Sequence, residues 1–158
     1  MKITKKLLFL AVVSILSGCG GMMDQFSMAR VWLQNVRFNV DDKLNNDAPV
    51  TVHVVIPYRE DLLAVLLKMP ASKYFQAYDQ LKKDSADMLD VFSVEVVPGQ
   101  RLKDLDIKPS KANGLGVLIF ARYNTDGDHR MLLAEERHIL LNLGPQDFTI
   151  ENLDAAKK

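Results

Sequence analysis

The amino-acid sequence predicts a mainly β protein, an antiparallel β-sandwich with a short helical insertion. Three observations support this fold class. Hydrophobic and polar residues alternate over most of the chain, turns containing glycine or proline separate these stretches closely, and only one region has helical spacing. No strand–helix–strand rhythm favours a parallel sheet. The chain has 158 residues, enough for one domain with a core but not for two.

Two strands are predicted before the helical region. The first has hydrophobic residues at four positions of one parity, namely Trp32, Val36, Phe38 and Val40. This parity predicts that the four side chains face the core. The second strand covers residues 50–56, where valine and isoleucine recur at every second position until Pro57 ends it. His53 has the outward parity of this strand, which predicts a surface histidine.

The middle of the chain predicts two short helices. Residues 60–69 have leucines at helical spacing and acidic residues at the start, which stabilise the positive helix N-terminus. Pro70 ends this helix, and Ser72 is predicted to cap the next one. The second helix has three aromatic residues on one face, namely Tyr74, Phe75 and Tyr78. This aromatic stripe could contact a partner, but its spacing favours burial against the sheet.

Strand spacing returns after the helices and brings the total to about seven strands. Four of the later strands are predicted over residues 90–97, 101–107, 114–123 and 148–153. Residues 130–143 are predicted to form one long or bulged strand. The predicted domain therefore covers residues 28–153, and residues 154–158 form a short polar tail.

The first 18 residues differ from the rest of the chain. They begin with three lysines, continue with an apolar run from Leu7 to Leu16, and end with Ser17 and Gly18. This order is typical of a secretory signal peptide. The apolar run is shorter than the roughly 20 residues that a membrane-spanning helix needs. A buried N-terminal helix is the alternative, but the flanking lysines and small residues favour a signal peptide.

Cys19 is the only cysteine in the chain, and it follows this segment directly. A disulfide within the chain would need a second cysteine, and a reactive thiol has no physical rationale at this position. Residues 16–19, Leu-Ser-Gly-Cys, resemble the bacterial lipobox. The resemblance implies cleavage before Cys19, a diacylglycerol on its sulfur and an acylated amino group. Several acyl chains on one residue would anchor the domain to a bilayer, with residues 19–27 as the linker.

No motif in the sequence indicates an enzyme. The chain has no formal net charge, which gives no sign of nucleic-acid binding. It contains no P-loop and no Gly-x-Ser-x-Gly motif, and we expect no cofactor. The three histidines are not spaced as metal ligands. These absences favour a binding or scaffold role.

One stretch partly matches a calcium-binding loop. Positions 1, 3, 5 and 12 of an EF-hand loop are occupied by Asn124, Asp126, Asp128 and Glu135. Position 6, which should be glycine, is His129. The dipeptide Asp126-Gly127 is typical of a hairpin turn, so we predict a hairpin and keep the calcium site as the alternative.

The order of features resembles the TssJ (SciN) family, the outer-membrane lipoproteins of type VI secretion systems. The lipobox is followed by the strand "PVTVHVVIPY", the helical segment "SKYFQAYDQ", the turn "VEVVPGQ" and the late strand "GLGVLIFARY". The resemblance covers about residues 28–153. The chain departs from the family at His129-Arg130, where a tryptophan is common. The resemblance implies a transthyretin-like β-sandwich with an added helical piece.

The resemblance also implies a location and partners. Gly20 stands where an aspartate retains many lipoproteins in the inner membrane, which favours a periplasm-facing site on the outer membrane. The family anchors a trans-envelope complex by binding the periplasmic domain of the inner-membrane protein TssM, together with other subunits of the secretion membrane complex. In the family, the loop between the first two strands contributes to this contact.

In this chain, the corresponding loop residues are Asp41, Asp42, Lys43, Leu44, Asn45, Asn46 and Asp47. We expect them to be polar and exposed, as binding loops often are. A plain solvated loop is the alternative for this stretch. For the whole protein, the alternatives are a ligand-binding or envelope-assembly lipoprotein unrelated to secretion, and a lipid-anchored enzyme.

Overall fold

The computed structural model describes residues 31–154. The predicted signal peptide, Cys19 with its linker and residues 155–158 lie outside the described residues. The described chain forms eight strands and two helices, in the order β1 (Asn35–Val40), β2 (Val50–Pro57), α1 (Glu60–Leu66), α2 (Ala71–Asp84), β3 (Leu89–Val96), β4 (Leu105–Asp106), β5 (Val117–Ala121), β6 (Arg130–Leu133), β7 (His138–Leu143) and β8 (Phe148–Asn152). The helical insertion after the second strand is confirmed, and there is one strand more than predicted.

Two four-stranded sheets form a sandwich. The sheet with strand order β4-β1-β7-β8 is the open sheet, and the sheet with order β3-β2-β5-β6 is the helix-side sheet. All neighbouring strands are antiparallel except β1 and β7, which pair in parallel from Asn35↔His138 to Val40↔Leu143. The predicted mainly β sandwich is confirmed. A purely antiparallel arrangement is wrong, because β1 and β7 run in the same direction, which the long connection between them allows.

The main core lies between the two sheets, and most of it follows the predicted alternation. Val36, Val52, Ile56 and Ile139 are among its fully or almost fully buried residues. Burying one such side chain stabilises the fold by roughly 1.5–3 kcal/mol.

Trp32 is an exception to the predicted parity. It is 38% exposed, and its ring centroid lies 5.2 Å from the Arg137 guanidinium. The neighbouring Leu33 is buried instead. The strand begins only at Asn35, so the alternation does not extend back to Trp32.

The two helices cover the outer face of the helix-side sheet and create a second core. This core contains Leu62 and Leu66 of α1, Tyr74 of α2, and Val55, Leu118 and Phe120 of the sheet. The Tyr74 ring stacks on the Phe120 ring with centroids 4.1 Å apart. The predicted burial of the aromatic stripe is therefore confirmed for Tyr74, whereas Phe75 and Tyr78 are half-buried against the same core. Neither helix of the described chain has the length and apolarity that crossing a membrane requires.

His53 lies in this second core, so the prediction of a surface histidine is wrong. The residue is 4% exposed, and its Nδ1 atom lies 3.0 Å from the Tyr74 hydroxyl oxygen. The alternation predicted its outward direction correctly, but α2 covers that face of the sheet. Burial, together with the nearby charge of Lys82, lowers the pKa of His53 to about 4. The imidazole is therefore neutral at pH 7.

Two predicted strands differ in extent. Residues 130–143 form β6 in the helix-side sheet and β7 in the open sheet, rather than one strand. The chain crosses between the sheets at residues 134–137, where the Glu136 carboxylate accepts a hydrogen bond from the Ala134 amide at 2.8 Å. Within the predicted strand 101–107, only Leu105 and Asp106 pair with β1.

Two boundaries also differ from the prediction. Pro70 takes the N-cap position of α2, and the exposed Ser72 makes no capping hydrogen bond. Asp154, predicted to begin the polar tail, accepts hydrogen bonds from the amides of Arg137 and His138 at 2.8 and 3.1 Å. Asp154 therefore belongs to the folded domain.

Candidate partner-binding site

Four loops meet at one end of the sandwich. They comprise residues 41–49, 97–100, 122–129 and 144–147. The Gly99 amide donates to the Asp41 carbonyl at 3.1 Å, and the Asp41 amide donates to the Leu143 carbonyl at 3.0 Å. The Thr125 hydroxyl donates to the Gln146 carbonyl at 2.7 Å. We call this connected set of four loops the loop face.

The loop at residues 41–49 has a defined backbone. It contains a short 3-10 turn at Leu44–Asn46, and Asn45, Asn46 and Asp47 have φ angles of 48°, 55° and 67°. Asn and Asp adopt this left-handed conformation more readily than other residues with a side chain. The sequence Asn-Asn-Asp thus allows the sharp change of direction that leads into β2.

Two residues of this loop point inward. Leu44 is fully buried in the main core, and Asn45 is 1% exposed. The Asn45 side-chain amide donates to the Pro49 carbonyl at 3.1 Å, and its side-chain oxygen accepts from the Asn124 amide at 2.8 Å. The expectation of an exposed loop is wrong for these two residues. They hold the loop in shape, since an unpaired buried amide would destabilise the fold.

The other five predicted contact residues are exposed, namely Asp41, Asp42, Lys43, Asn46 and Asp47. The fold brings them to the same end as the exposed Asp126, Asp128 and Asp147 of neighbouring loops. Against these six aspartates the four loops contain two basic residues, Lys43 and Arg122, and Arg130 at the start of β6 pairs with Asp128 at 3.7 Å. The loop face is therefore acidic, and a partner surface with basic side chains would complement it.

His129 is a structural residue of the loop face that the sequence analysis missed. It is 6% exposed, and its Nδ1 atom lies 2.9 Å from an Asp147 carboxylate oxygen. Its Nε2 atom lies 2.9 Å from the Thr125 carbonyl oxygen. These contacts join the loop at 122–129 to the loop at 144–147. The only signal in the sequence was the departure from the tryptophan that is common near this position in the TssJ family.

The predicted hairpin around Asp126-Gly127 is confirmed, because β5 and β6 pair antiparallel. Its connection, residues 122–129, is longer than a tight two-residue turn. Glu135 lies beyond the far end of β6, so it does not join Asn124, Asp126 and Asp128. Between residues 31 and 154, no three His, Cys, Asp or Glu side chains are grouped closely enough to hold a metal ion.

Two solved structures resemble this fold. One is Lip of Serratia marcescens, a membrane-bound component of the type VI secretion system, and the other is the type VI secretion lipoprotein TssJ1 of Pseudomonas aeruginosa. Each is 16% identical to this chain with a TM-score of 0.55. Each match covers 74% of this chain, and 94% of Lip or 92% of TssJ1.

The fold is shared with these lipoproteins. The resemblance to the TssJ family that the order of motifs indicates is therefore confirmed at the level of the fold. The transthyretin-like arrangement implied by that resemblance stays a prediction. No protein-family model and no curated protein sequence matches the chain.

Proposed function

We propose that the protein is a non-enzymatic lipoprotein of the outer membrane that docks a type VI-like secretion complex. In this proposal Cys19 carries the lipid, and the exposed residues of the loop face bind the periplasmic domain of a TssM-like inner-membrane protein. The fold shared with two type VI secretion lipoproteins supports the proposal. Because the loop face is acidic, we infer that the contacting surface of the partner is basic.

The observation that supports this function best is the direction of β1. The strand starts at Asn35, next to the point where the described chain begins, and ends at Val40, where the loop at 41–49 starts. Six extended residues span about 20 Å. The described chain therefore enters the domain at the end opposite the loop face. This geometry suits a domain that is held at a membrane and binds a protein that crosses the periplasm.

The lipid anchor contributes to binding as well as to location. Each buried methylene of an acyl chain contributes about 0.8 kcal/mol, and one chain alone gives only marginal membrane binding. Two or three chains on Cys19 hold the protein at the bilayer surface. Confinement to that surface raises the effective concentration of the loop face for a partner in the same envelope.

The binding proposal can be tested with the full-length lipidated protein in detergent-solubilised envelopes. Asp42→Lys changes an exposed loop-face charge, and Glu151→Lys makes the same change on the exposed outer face of the open sheet. We expect Asp42→Lys to reduce recovery of a large inner-membrane protein with a periplasmic domain by about threefold or more, and Glu151→Lys to have no effect. Affinity pull-down with mass spectrometry measures the recovery.

Two results would contradict the binding proposal. Equal recovery with Asp42→Lys and the original protein would exclude the loop face as the contact. Recovery of envelope-assembly factors alone would favour an assembly role. A third variant, Lys43→Glu, makes the loop face more acidic, and we expect it to bind at least as well as the original protein.

The anchoring proposal has its own test. Cys19→Ser removes the lipidated sulfur but changes no residue between 31 and 154. We expect this variant to keep the circular dichroism spectrum of the folded domain and to leave the membrane fraction. Finding it still in the outer-membrane fraction would count against lipid anchoring without affecting the proposed contact surface.

A further inference from the structure

A groove lies between the C-terminal half of α2 and strand β3, away from the loop face. Its volume is about 300 Å³, and its lining includes Tyr78 and Lys82 of α2, Ser85 directly after the helix, and Leu89 and Val91 of β3. Leu89 and Val91 lie near the start of β3, whereas the loop face begins after Val96 at its other end. The groove is therefore separate from the contact surface proposed above.

Strand β3 forms an edge of the helix-side sheet, so one side of its backbone has no neighbouring strand. Pro57 and Leu89 are the last paired residues of β2 and β3 at this end. Tyr58 follows Pro57 and Met88 precedes Leu89, and the Tyr58 amide donates to the Met88 carbonyl at 3.0 Å. Hydrogen-bonded and non-hydrogen-bonded pairs alternate along an antiparallel ladder. Pro57↔Leu89 is thus a non-hydrogen-bonded pair, which fits the missing N–H group of Pro57.

The same alternation extends along β3. Val55↔Val91 and His53↔Ser93 are the next non-hydrogen-bonded pairs. The backbone N–H and C=O groups of Leu89, Val91 and Ser93 therefore point away from β2, toward the open edge beside the groove. An edge of this kind can pair with another extended segment.

The side chains of the groove add charge to this edge. Within residues 31–154, Lys82 forms no salt bridge, and the hydroxyl groups of Tyr78 and Ser85 make no side-chain hydrogen bond. Asp90 also lines the groove, but its carboxylate accepts hydrogen bonds from the hydroxyls of Tyr58 and Ser110 at 2.5 and 2.8 Å. The Asp90 carboxylate keeps its negative charge but is held by these donors, so the charged side chain of the groove that has no partner in the described chain is Lys82.

We propose that this groove binds an extended segment of a partner protein that carries an acidic side chain. The segment adds to β3 as a fifth strand of the helix-side sheet. The backbone groups of Leu89, Val91 and Ser93 bind its main chain, and Lys82 pairs with its carboxylate. Strand addition beside a helix uses main-chain hydrogen bonds for affinity and side-chain contacts for specificity.

The test uses the purified full-length lipoprotein in detergent and two synthetic peptides. Both are fluorescent eight-residue peptides of alternating valine and threonine, with either glutamate or lysine at a central position. We expect saturable binding of the glutamate peptide by fluorescence anisotropy, and about fivefold weaker binding of the lysine peptide. Purified protein is used, so the result is independent of the proposed secretion role.

Two variants separate the charge from the strand edge. Lys82→Glu should reverse the preference, so that the lysine peptide binds more tightly than the glutamate peptide.

Ser93→Pro removes an outward-pointing N–H group from an exposed edge position, where proline is tolerated. We expect Ser93→Pro to weaken both peptides about tenfold while the circular dichroism spectrum stays unchanged. Lys73→Glu, a change at an exposed residue in the first turn of α2, is the matched control and should bind like the original protein.

Three outcomes would overturn the proposal. The first is the absence of saturable binding of either peptide up to millimolar concentration. The second is unchanged peptide preference in Lys82→Glu. The third is a peptide-free dimer that Ser93→Pro disrupts, because this result would assign the edge of β3 to a second copy of the chain.

Discussion

The two sheets of the sandwich have similar alternating sequences but very different outer faces. On the helix-side sheet, the outward positions of β2 and β5 include His53 and Phe120, and both are buried beneath the helices. On the open sheet, the outward positions of β1 and β7 include Arg37, Asn39 and Leu140, which are exposed or half-buried. Alternation therefore determines which way a side chain points, whereas the covering elements determine whether it is buried.

The difference originates in one insertion. The chain leaves β2 at Pro57 and enters α1 at Glu60, so the helices return directly onto the sheet that they follow. Leucines and aromatic residues on the helices bury the outer face of β2 and β5. The open sheet has no such cover within the described chain, and its outer face carries polar pairs such as Asn39 with Asn142.

The largest expected difference between the two outer faces is in the free energy of unfolding that is lost when a side chain is truncated. Phe120→Ala removes a fully buried side chain from the second core and should lower the free energy of unfolding by about 3–5 kcal/mol. Leu140→Ala on the open sheet is the control and should cost less than about 1 kcal/mol, because its side chain is only partly buried. Urea unfolding at pH 7 measures both. Equal losses would show that the second core contributes no more than the open face.

The second expected difference is in pH dependence. The pKa of His53 is about 4 in the folded protein against 6.5 for a free histidine, so between these values only the unfolded chain binds the proton. Stability is thus complete above pH 6.5 and falls as the pH decreases toward 4. Between pH 7 and pH 5 the loss due to His53 should be about 2 kcal/mol.

The measurement for this prediction is urea unfolding of the original protein and His53→Leu at both pH values. The original protein should lose about 2 kcal/mol more than the variant between pH 7 and pH 5. His138→Leu, on the outer face of the open sheet, should keep the pH dependence that His53 causes. An identical pH dependence in His53→Leu and the original protein would contradict the neutral buried imidazole.

A smaller effect is expected from the hydroxyl that contacts His53. Tyr74→Phe keeps the ring stacked on Phe120 but leaves the Nδ1 atom of His53 without its partner at 3.0 Å. The free energy of unfolding at pH 7 should fall by about 1 kcal/mol. Tyr78→Phe is the control, because its hydroxyl makes no side-chain hydrogen bond among residues 31–154. Equal effects of the two substitutions would contradict a stabilising contact between Tyr74 and His53.

The smallest effect is expected on the open sheet. Asn39→Ala breaks an exposed hydrogen bond of 2.8 Å to the side chain of Asn142. The free energy of unfolding should change by less than about 0.5 kcal/mol, because water replaces the lost partner. Thermal unfolding of the two proteins side by side measures this. A loss above about 1 kcal/mol would show that the exposed polar pairs stabilise the open sheet more than the geometry indicates.

The sequence predicted the fold well where one local period determined the structure. The valines and isoleucine of residues 50–56 alternate strictly, and the strand ends at Pro57 as predicted. The leucines of residues 60–69 have helical spacing and form α1, although the helix stops at Leu66. In these segments the hydrophobic pattern and the element type depend on the same neighbouring residues.

Predictions failed where the structure depends on distant parts of the chain. His53 is buried by a helix that lies about twenty residues away in sequence, which alternation within β2 cannot reveal. Residues 130–143 retain strand character throughout, so the crossing between two sheets at 134–137 left no clear break in the hydrophobic pattern. Both failures reflect tertiary context rather than local propensity.

The same limit applies to the candidate site. The sequence indicated the position of the loop at 41–49, because its turn residues separate two clear strands. It gave no indication that Leu44 and Asn45 face inward. Asn45 accepts its hydrogen bond from Asn124, 79 residues later in the chain, and no periodic pattern links two loops over that distance.

The parallel pairing of β1 with β7 has a consequence for the order of folding. It joins Asn35 to His138, so the open sheet cannot form until nearly the whole chain is available. Contacts of such high sequence separation slow folding, because a long loop must close before they form. For the exported lipoprotein proposed above, this delay is useful, since the open sheet stays unformed while the chain is threaded through a membrane and completes only when β7 arrives.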